Sequence, residues 1–457
     1  MSAPARVCVI GAGMSGLAAV EALARAGYEV TCFEAGSAVG GMWRYENDGG
    51  SSAAYASLQT NTSRRRMRYP SLPMHDAVPE FPGHRDMLAY LESYADHNAL
   101  ARNIRFGSRV EKVARVQGAE REEWEVSARG ATPGRFDWVV VATGHYSAPA
   151  APELPGEFDG ELAHVCRYRS PDRYAGRRVV VVGGAQSALD IVAEISTVAR
   201  HTVLACDEVH HLVPRRVFGR PLDEFDTAAA LLLPLPVLRL LLRAIMRTGR
   251  AAPERGNLPP PRHRLFETRW PAVVSPAAAA AIAAQAFQTR PRVSALAGEE
   301  VVFADGSRTA ADAVVFATGY RISFPFLDGE LGHGSGWEFP LYRRILSPRA
   351  PGLAFVGVLE PGPGLFEIVE RQAQWLAAAI GGRVPLPDEG RMWRAIDAGE
   401  RRSRQQFAKT GRHTILCNRH AYLRVLNRDL RRARASSRGR ARAARAPVKP
   451  SAARLAR

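Results

Sequence analysis

A strand, a glycine-rich turn, a helix and a second strand follow one another twice in this chain, and this duplicated pattern constrains the fold most. The first copy has an apolar strand at 6–10, the turn GAGMSG at 11–16, a helix to about Ala26 and a strand at 29–33. In a dinucleotide-binding fold the three glycines permit a tight turn, admit a pyrophosphate and let the helix pack on its strand. Glu34 ends the second strand, where a carboxylate can accept hydrogen bonds from ribose hydroxyls. We predict that this copy binds a dinucleotide.

The second copy starts at the β-branched stretch 178–182 and continues into the turn GGAQSA at 183–188. A helix is predicted from about Gln186 to Ser196, then a strand at 202–206 that ends at Asp207. Alanine replaces the second and third glycines of the fingerprint, which weakens the motif. An ordinary turn without a ligand is therefore the alternative for this copy.

Each copy is followed by a similar ending. Predicted β-hairpins return to a buried strand that closes in Ala-Thr-Gly, at 138–144 in the first half and at 314–319 in the second. The repeat predicts an α/β fold with two Rossmann-like dinucleotide-binding domains, the second inserted in the first. One chain that binds two dinucleotides indicates electron transfer between two cofactors.

Cysteine usage and hydropathy exclude several other classes. The five cysteines are scattered without a CxxC pair or a His/Cys cluster, which argues against disulfides, a dithiol centre and any metal site. The N-terminus lacks the apolar region of a signal peptide, and the most apolar stretch, 228–246, contains two prolines and two arginines. We expect no transmembrane segment and a cytoplasmic protein.

The net charge of +17 is concentrated at one end, because ten of the basic residues and no acid fall within 431–457. Such a segment attracts phosphate non-specifically, so an anionic-surface or nucleic-acid-binding protein is an alternative of another class. No aromatic residue interleaves with these arginines, as a base-stacking platform would require. We expect a basic, disordered tail and no specific nucleic-acid partner.

Between the two folds the sequence FDGELAHVCRYR, at 158–169, matches the pattern FxGxxxHxxx[YF][KR]. This stretch resembles the signature of the flavin-containing monooxygenases, which are class B flavoprotein monooxygenases, and the resemblance is to the bacterial type. GGMW at 40–43, SLQTN at 57–61 and FATGY at 316–320 are similar to further family motifs, and the resemblance covers residues 5 to about 427.

The resemblance implies an NAD(P)H-dependent oxidoreductase in which NAD(P)H reduces FAD and the reduced flavin forms a C4a-hydroperoxide with O2. A soft nucleophile, the N or S atom of a small molecule, then takes one oxygen, as in N,N-dimethylaniline monooxygenase activity. The cofactor supplies this chemistry and the protein supplies orientation and a dry site. The resemblance also implies a division into domains. An FAD-binding domain is formed by two parts, 1–166 and 306–430. Between them lies an NAD(P)H-binding domain, 167–305, with a variable insertion at about 221–288, and the tail follows at 431–457. A homodimer is left open.

Residue roles follow from the same resemblance. Asn61 matches the family position near the flavin C4a, and its carboxamide can donate to a peroxide oxygen without titrating near neutral pH. It is the predicted catalytic residue. The predicted cofactor-binding residues are Gly11, Gly13, Met14, Ser15, Gly16, Glu34, Gly41, Met42, Trp43, Thr60, Asn61, Thr62, Thr143, Gly144, Gly183, Ala185, Gln186, Ser187, Asp190, Asp207, Thr318, Gly319 and Tyr320.

The chain departs from the family at Asp207, where NADPH-preferring members carry arginine. A carboxylate there repels the 2′-phosphate and suits the ribose diol of NADH. Arg215 and Arg216 follow closely and offer a route back to NADPH. The second cofactor is therefore expected to be NADPH or NADH, with acceptance of NADH at least as good.

Two other flavoenzyme classes share this architecture. A Baeyer–Villiger monooxygenase acting on a ketone is one alternative, but its motif ends in Trp-Pro where this chain has Tyr168-Arg169. A pyridine-nucleotide disulfide reductase needs a CxxC-type dithiol, which this sequence lacks.

Overall fold

The structure is a computed structural model that describes residues 4–50, 52–116, 122–227, 257–261, 272–331, 339–406 and 415–444, with residues 237 and 240. Its strands are β1 (Arg6–Ile10), β2 (Glu29–Phe33), β3 (Ile104–Arg105), β4 (Val110–Arg115), β5 (Trp124–Ala128), β6 (Gly134–Phe136), β7 (Trp138–Val141), β8 (Ala148–Pro149), β9 (Glu161–His164), β10 (Arg178–Val182), β11 (His201–Ala205), β12 (Arg216–Val217), β13 (Arg220–Pro221), β14 (Gln288–Arg290), β15 (Val293–Ala297), β16 (Glu300–Phe303), β17 (Arg308–Ala310), β18 (Ala313–Phe316), β19 (Tyr320–Arg321) and β20 (Leu353–Phe355). Its α-helices are α1 (Met14–Arg25), α2 (His84–His97), α3 (Gln186–Ile195), α4 (Pro276–Ala283), α5 (Leu365–Ile380), α6 (Glu389–Gln406) and α7 (Arg419–Ala444).

The first sheet is parallel, with the strand order β20-β7-β1-β2-β3. Successive side chains of a strand point to opposite faces, and β1 shows what each face buries. Val7 and Val9 pack among α1 and α5, whereas Cys8 and Ile10 pack against the antiparallel layer β4-β5-β6. Burial on both faces explains why residues 7–10 of β1 and all of β7 are apolar.

The second sheet repeats this arrangement with the order β14-β11-β10-β18-β9, again parallel. Val179 and Val181 pack against α3, while Val180 and Val182 pack against the antiparallel layer β15-β16-β17. The predicted α/β fold with two Rossmann-like halves is confirmed. Two short connections, β8 and β19, pair antiparallel where the chain passes between the halves.

The predicted limits of the inserted segment, 167 and 305, were too narrow for this sheet. Its edge strand β9 starts at Glu161, within the signature motif, and its strand β18 extends to Phe316. The repeated Ala-Thr-Gly ending therefore closes the second sheet, as the first one closes at Gly144. The insertion predicted at about 221–288 lies largely outside the described residues.

The prediction of a disordered tail is wrong for residues 431–444, because α7 continues to Ala444. Alanine and arginine both have high helix propensity, and Leu430 and Ala433 are buried in the core beside α1 and α5. Residues 445–457 lie outside the described residues. Among the helices that the structure describes, none combines the length and the apolar character needed to cross a membrane.

Candidate active site

The first glycine turn joins β1 to α1 at the carboxyl edge of the first sheet. Gly11 has φ +98°, and a Cβ on Gly16 would stand 1.8 Å from the Gly11 carbonyl oxygen, so the protein itself requires both glycines. Gly13 differs, since its φ of −78° and ψ of −172° are open to any residue. A Cβ there would be 3.6 Å from its nearest neighbour, Gly41 Cα. The space beside Gly13 therefore suits the close approach of a ligand.

Both glycine turns lead into helices whose N-cap residue has no side chain that could cap the first N–H groups. The N-cap residues are Gly13 for α1 and Ala185 for α3, and neither helix has an acid in its first turn. The N–H groups of a first helical turn and the helix dipole together favour a phosphate group at such a turn. The two turns are the feature that a pair of dinucleotides would need.

Glu34 lies buried at the end of β2, next to the first turn. Its Oε2 accepts a hydrogen bond from Ala12 N at 2.6 Å, and its Oε1 accepts one from Gly36 N at 2.8 Å. A carboxylate has about four lone-pair directions, so two remain for ribose hydroxyls. Glu34 thus shapes the turn and stays able to bind a nucleotide.

The segment predicted to cover the flavin lies against the same turn. Gly40 N donates to Ala12 O at 3.1 Å, and Trp43 is buried, with no hydrogen-bond partner for its Nε1 in the described part of the chain. Met42 is more exposed than either neighbour, and Ser15 is buried. Thr143, which follows β7, also lies beside the first turn, because a Cβ on Gly11 would stand 3.3 Å from Thr143 Cα. The predicted residues brought together here are Gly11, Gly13, Met14, Ser15, Gly16, Glu34, Gly41, Met42, Trp43 and Thr143, with Gly144 next along the chain at φ +76°.

The loop that carries Asn61 is held on both sides. Thr60 N donates to Pro82 O at 2.9 Å, and Thr60 Oγ1 donates to Thr62 O at 2.8 Å. Ser63 donates from both N and Oγ to the Asp223 carboxylate at 2.9 and 2.8 Å. Asn61 is half-buried, and within the described residues no hydrogen bond engages its side chain. Its carboxamide therefore lies on a backbone that is fixed.

The same loop also contacts the second half of the molecule. Tyr55 donates to Asp190 on α3 at 3.4 Å, and Ala56 N donates to Arg169 O at 2.8 Å. The signature residue Tyr168 donates to Glu194 of α3 at 2.7 Å. Sequence reasoning missed these anchors, although the Tyr168-Arg169 ending marked their position.

Gln186 and Asp190 hold the start of α3 in place. Gln186 Nε2 donates to Asp190 at 2.8 Å and to Val274 O at 3.0 Å, and Gln186 Oε1 accepts from Val274 N at 3.0 Å. Burial raises the pKa of Asp190, against the hydrogen bonds that it accepts. Both side chains are used by the protein, so their predicted contact with the nucleotide stays a prediction, as does that of the exposed Ser187.

The second glycine turn packs closely against neighbouring backbone. Gly183 has φ +138°, and a Cβ there would stand 2.6 Å from Ala317 O. A Cβ on Gly184 would stand 1.9 Å from Glu208 O. The turn therefore packs closely on the chain that follows β11, where Asp207 lies.

Asp207 is paired with an arginine that the sequence did not single out. Arg292, just after β14, donates its backbone N to Oδ1 and its Nη1 to Oδ2, each at 3.0 Å. Arg215 and Arg216 lie elsewhere, with their guanidinium groups 4.8 and 5.9 Å from the Phe81 ring centre. Both arginines thus contact the first half of the molecule, and their predicted part in binding NADPH stays a prediction.

The predicted residues 318–320 lie on the second connection between the halves. Thr318 Oγ1 donates to Ala150 O at 2.6 Å, and Gly319 O lies 3.0 Å from Nε2 of His164, the signature histidine. Tyr320 is buried, with its ring centre 5.1 Å from that of His164. Burial lowers the pKa of His164. These contacts join the connection to β9, and a role in binding the nucleotide stays a prediction for all three residues.

Comparison with known proteins gives one family. The sequence model of the family described as "Flavin-binding monooxygenase-like" matches residues 4–431. Rat "Dimethylaniline monooxygenase [N-oxide-forming] 2" is 30% identical over 92% of this chain and 81% of its own length. Mouse "Flavin-containing monooxygenase 1" is 31% identical, covering 88% and 78%.

Solved structures share the fold. The S-allyl-L-cysteine S-oxygenase of Allium sativum superposes with a TM-score of 0.69 at 24% identity, covering 93% of this chain and 88% of that one. A closed cyclohexanone monooxygenase gives a TM-score of 0.70 at 19% identity, covering 94% and 97%. At these identities the likeness concerns the fold.

Proposed function

This chain belongs to the flavin-binding monooxygenase-like family, and from that premise we propose that it is an FAD-dependent monooxygenase. It uses NADPH or NADH and O2 to oxygenate the N or S atom of a small molecule. The relatives named as dimethylaniline and flavin-containing monooxygenases support this reading over most of the chain.

One observation carries the proposal. The two glycine turns lie at the carboxyl edges of two parallel sheets, and the loop at 52–63 contacts both halves of the molecule: Ser52 Oγ donates to Met42 O at 3.0 Å, and Tyr55 donates to Asp190 of α3. Ligands of open parallel sheets bind at such carboxyl edges. A chain built to bring two dinucleotides to one loop is suited to passing electrons from one to the other.

The first half fits FAD. Gly13 offers room at a helix N-terminus, Glu34 keeps acceptor capacity for a ribose, and the segment that carries Met42 and Trp43 lies against the turn. Bound there, FAD supplies the activation of O2. The protein's share is to hold the cofactor, exclude water and place Asn61.

Asn61 is the proposed catalytic residue. Its carboxamide donates and accepts hydrogen bonds without changing charge near neutral pH. The fixed backbone on both sides lets this group stabilise developing charge without first reorganising.

The test is an assay of the purified chain for bound FAD and for NADPH oxidation with a sulfide, a tertiary amine and a ketone. We expect FAD in the protein and conversion of the sulfide or amine to its oxide. An ester formed from the ketone, with the sulfide and amine untouched, would establish the Baeyer–Villiger alternative. A preparation that cannot bind FAD would overturn the proposal.

Location and assembly are further proposals. We place the protein in the cytoplasm, since a reducing compartment suits its five free cysteines. A homodimer is the assembly to test, by light scattering of the purified chain.

A further inference from the structure

We propose that Arg292, held by Asp207, recognises the 2′-phosphate of NADPH and gives this chain a preference for NADPH over NADH. The inference rests on the proposed function and reverses the expectation drawn from Asp207 alone. It concerns only the end of the nucleotide that carries the adenosine.

The pair lies where the adenosine ribose of a nucleotide on the second glycine turn is expected. Strands β11 and β14 are parallel neighbours, and Cys206 N donates to Arg290 O at 3.0 Å, so their carboxyl ends meet. The chain after β11 then packs on the turn, because His210 N donates to Gly184 O at 2.9 Å. In this fold, the residue at the end of the second strand contacts the ribose 2′ position.

Arg292 changes the charge that a nucleotide meets there. Both oxygens of Asp207 accept hydrogen bonds from Arg292, at 3.0 Å each, so the carboxylate is neutralised. Asp207 keeps acceptor capacity, but its ion pair with Arg292 offsets the negative charge that would otherwise repel a 2′-phosphate. The pair also fixes Arg292, since its backbone and one guanidinium nitrogen are both engaged.

The rest of the guanidinium remains open to a ligand. The Arg292 side chain is 67% exposed, against 31% for Asp207. A guanidinium has five N–H donors in a planar fork that matches a phosphate, and only one nitrogen of the fork is used by Asp207. An arginine whose backbone and one guanidinium nitrogen are held, and whose other guanidinium nitrogens are exposed, is suited to binding a phosphate.

The experiment uses the full chain with its FAD and two adenosine probes, adenosine 2′,5′-bisphosphate and 5′-AMP, titrated by calorimetry. We expect the bisphosphate to bind about tenfold or more tightly than 5′-AMP, as a charge-assisted pair would give. Arg292→Ala should abolish this difference and leave 5′-AMP binding unchanged. Arg308→Ala is the matched control, because Arg308 also pairs an exposed guanidinium with an acid, Glu300.

The variant Asp207→Ala distinguishes recognition of the 2′-phosphate by Arg292 from recognition of the ribose by Asp207. If Asp207 only positions Arg292, 5′-AMP binds this variant as it binds the wild type. Loss of 5′-AMP affinity in Asp207→Ala, or a bisphosphate preference that survives Arg292→Ala, overturns the inference. KM values for NADPH and NADH during flavin reduction should shift in the same pattern, with NADPH alone affected by Arg292→Ala.

Failure here can be told apart from failure of the proposed function. A protein that binds FAD and forms an N- or S-oxide, yet does not distinguish the two probes, overturns only the role of Arg292. A protein that distinguishes the probes and binds no FAD overturns the proposed function instead. Thermal unfolding of each variant checks that it is folded.

Discussion

Replacing Gly13 by alanine tests whether the first glycine turn is shaped for a ligand. Its backbone is extended, and a Cβ would make an ordinary contact of 3.6 Å with Gly41, so the protein can accommodate the methyl group. Alanine at a compatible position stabilises by about 0.4–1 kcal/mol through the unfolded state, while alanine as an N-cap costs a similar amount. We therefore expect the free energy of unfolding of the FAD-free protein to change by less than about 1 kcal/mol.

FAD binding should respond quite differently to the same change. The methyl group would occupy the space through which a pyrophosphate approaches the helix N-terminus. We expect the Kd for FAD to rise by at least about tenfold, equivalent to about 1.4 kcal/mol. Chemical unfolding of the FAD-free protein and titration of flavin fluorescence measure the two quantities separately.

Two other glycines provide the comparison. Gly16→Ala places a Cβ 1.8 Å from Gly11 O, so overpacking should cost about 3 kcal/mol or more and weaken FAD binding as well. Gly399→Ala, in α6 with open space around it, should leave FAD binding unchanged. A Gly13→Ala protein that binds FAD like the wild type would refute the assignment of this turn to the pyrophosphate.

Three further changes address the site, the signature motif and the C-terminal helix. Asn61→Ala should retain flavin reduction by NADPH and lose about 100-fold in product formation, and an unchanged ratio of product to NADPH consumed would contradict its role. Burial lowers the pKa of His164, so protonation favours the unfolded state and stability falls as the pH drops below the ordinary value of 6.5. The fall in Tm from about pH 7.5 to about pH 5.5 should therefore be smaller in His164→Gln, and an equal fall would exclude a contribution from this residue. A chain ending after Asp429 loses the buried Leu430 and should be less stable, by about 1.5–3 kcal/mol, than one ending after Ala435; equal stability would show that α7 adds nothing beyond Asp429.

The two sheets could be predicted from the sequence because local rules define them. Glycine turns and valine runs mark β1, α1, β10 and α3, and the observed bounds differ from the predicted ones by a residue or so. Fully buried strands carry a strong apolar signal, and a glycine that must adopt a positive φ is hard to replace.

The edges of the second sheet lacked such a signal. Strand β9 reads Glu-Leu-Ala-His and β14 reads Gln-Thr-Arg, so neither alternates nor forms an apolar run. The pairing of Asp207 with Arg292 joins residues far apart in the chain, and it follows only when β14 is placed beside β11. Asp207 alone therefore pointed to NADH, whereas the pair points to NADPH.

The C-terminal helix shows the limit of composition as evidence. Arginine, alanine and serine in a charged segment are typical of a disordered tail, yet the same residues favour a helix once one face finds a partner. Leu430 and Ala433 supply that face by packing beside α1 and α5. Tertiary packing, which the composition does not encode, decided the outcome.

An experiment with labelled oxygen tests whether this chain is a monooxygenase. The purified chain, with FAD and NADPH, is incubated with a sulfide under ¹⁸O2 in ordinary water, and the mass of the product is measured by mass spectrometry. A monooxygenase of this family should place one ¹⁸O atom in the sulfoxide, in amounts that depend on NADPH. A sulfoxide that carries oxygen from water, or NADPH consumption without any labelled product from sulfide or amine, would contradict the account.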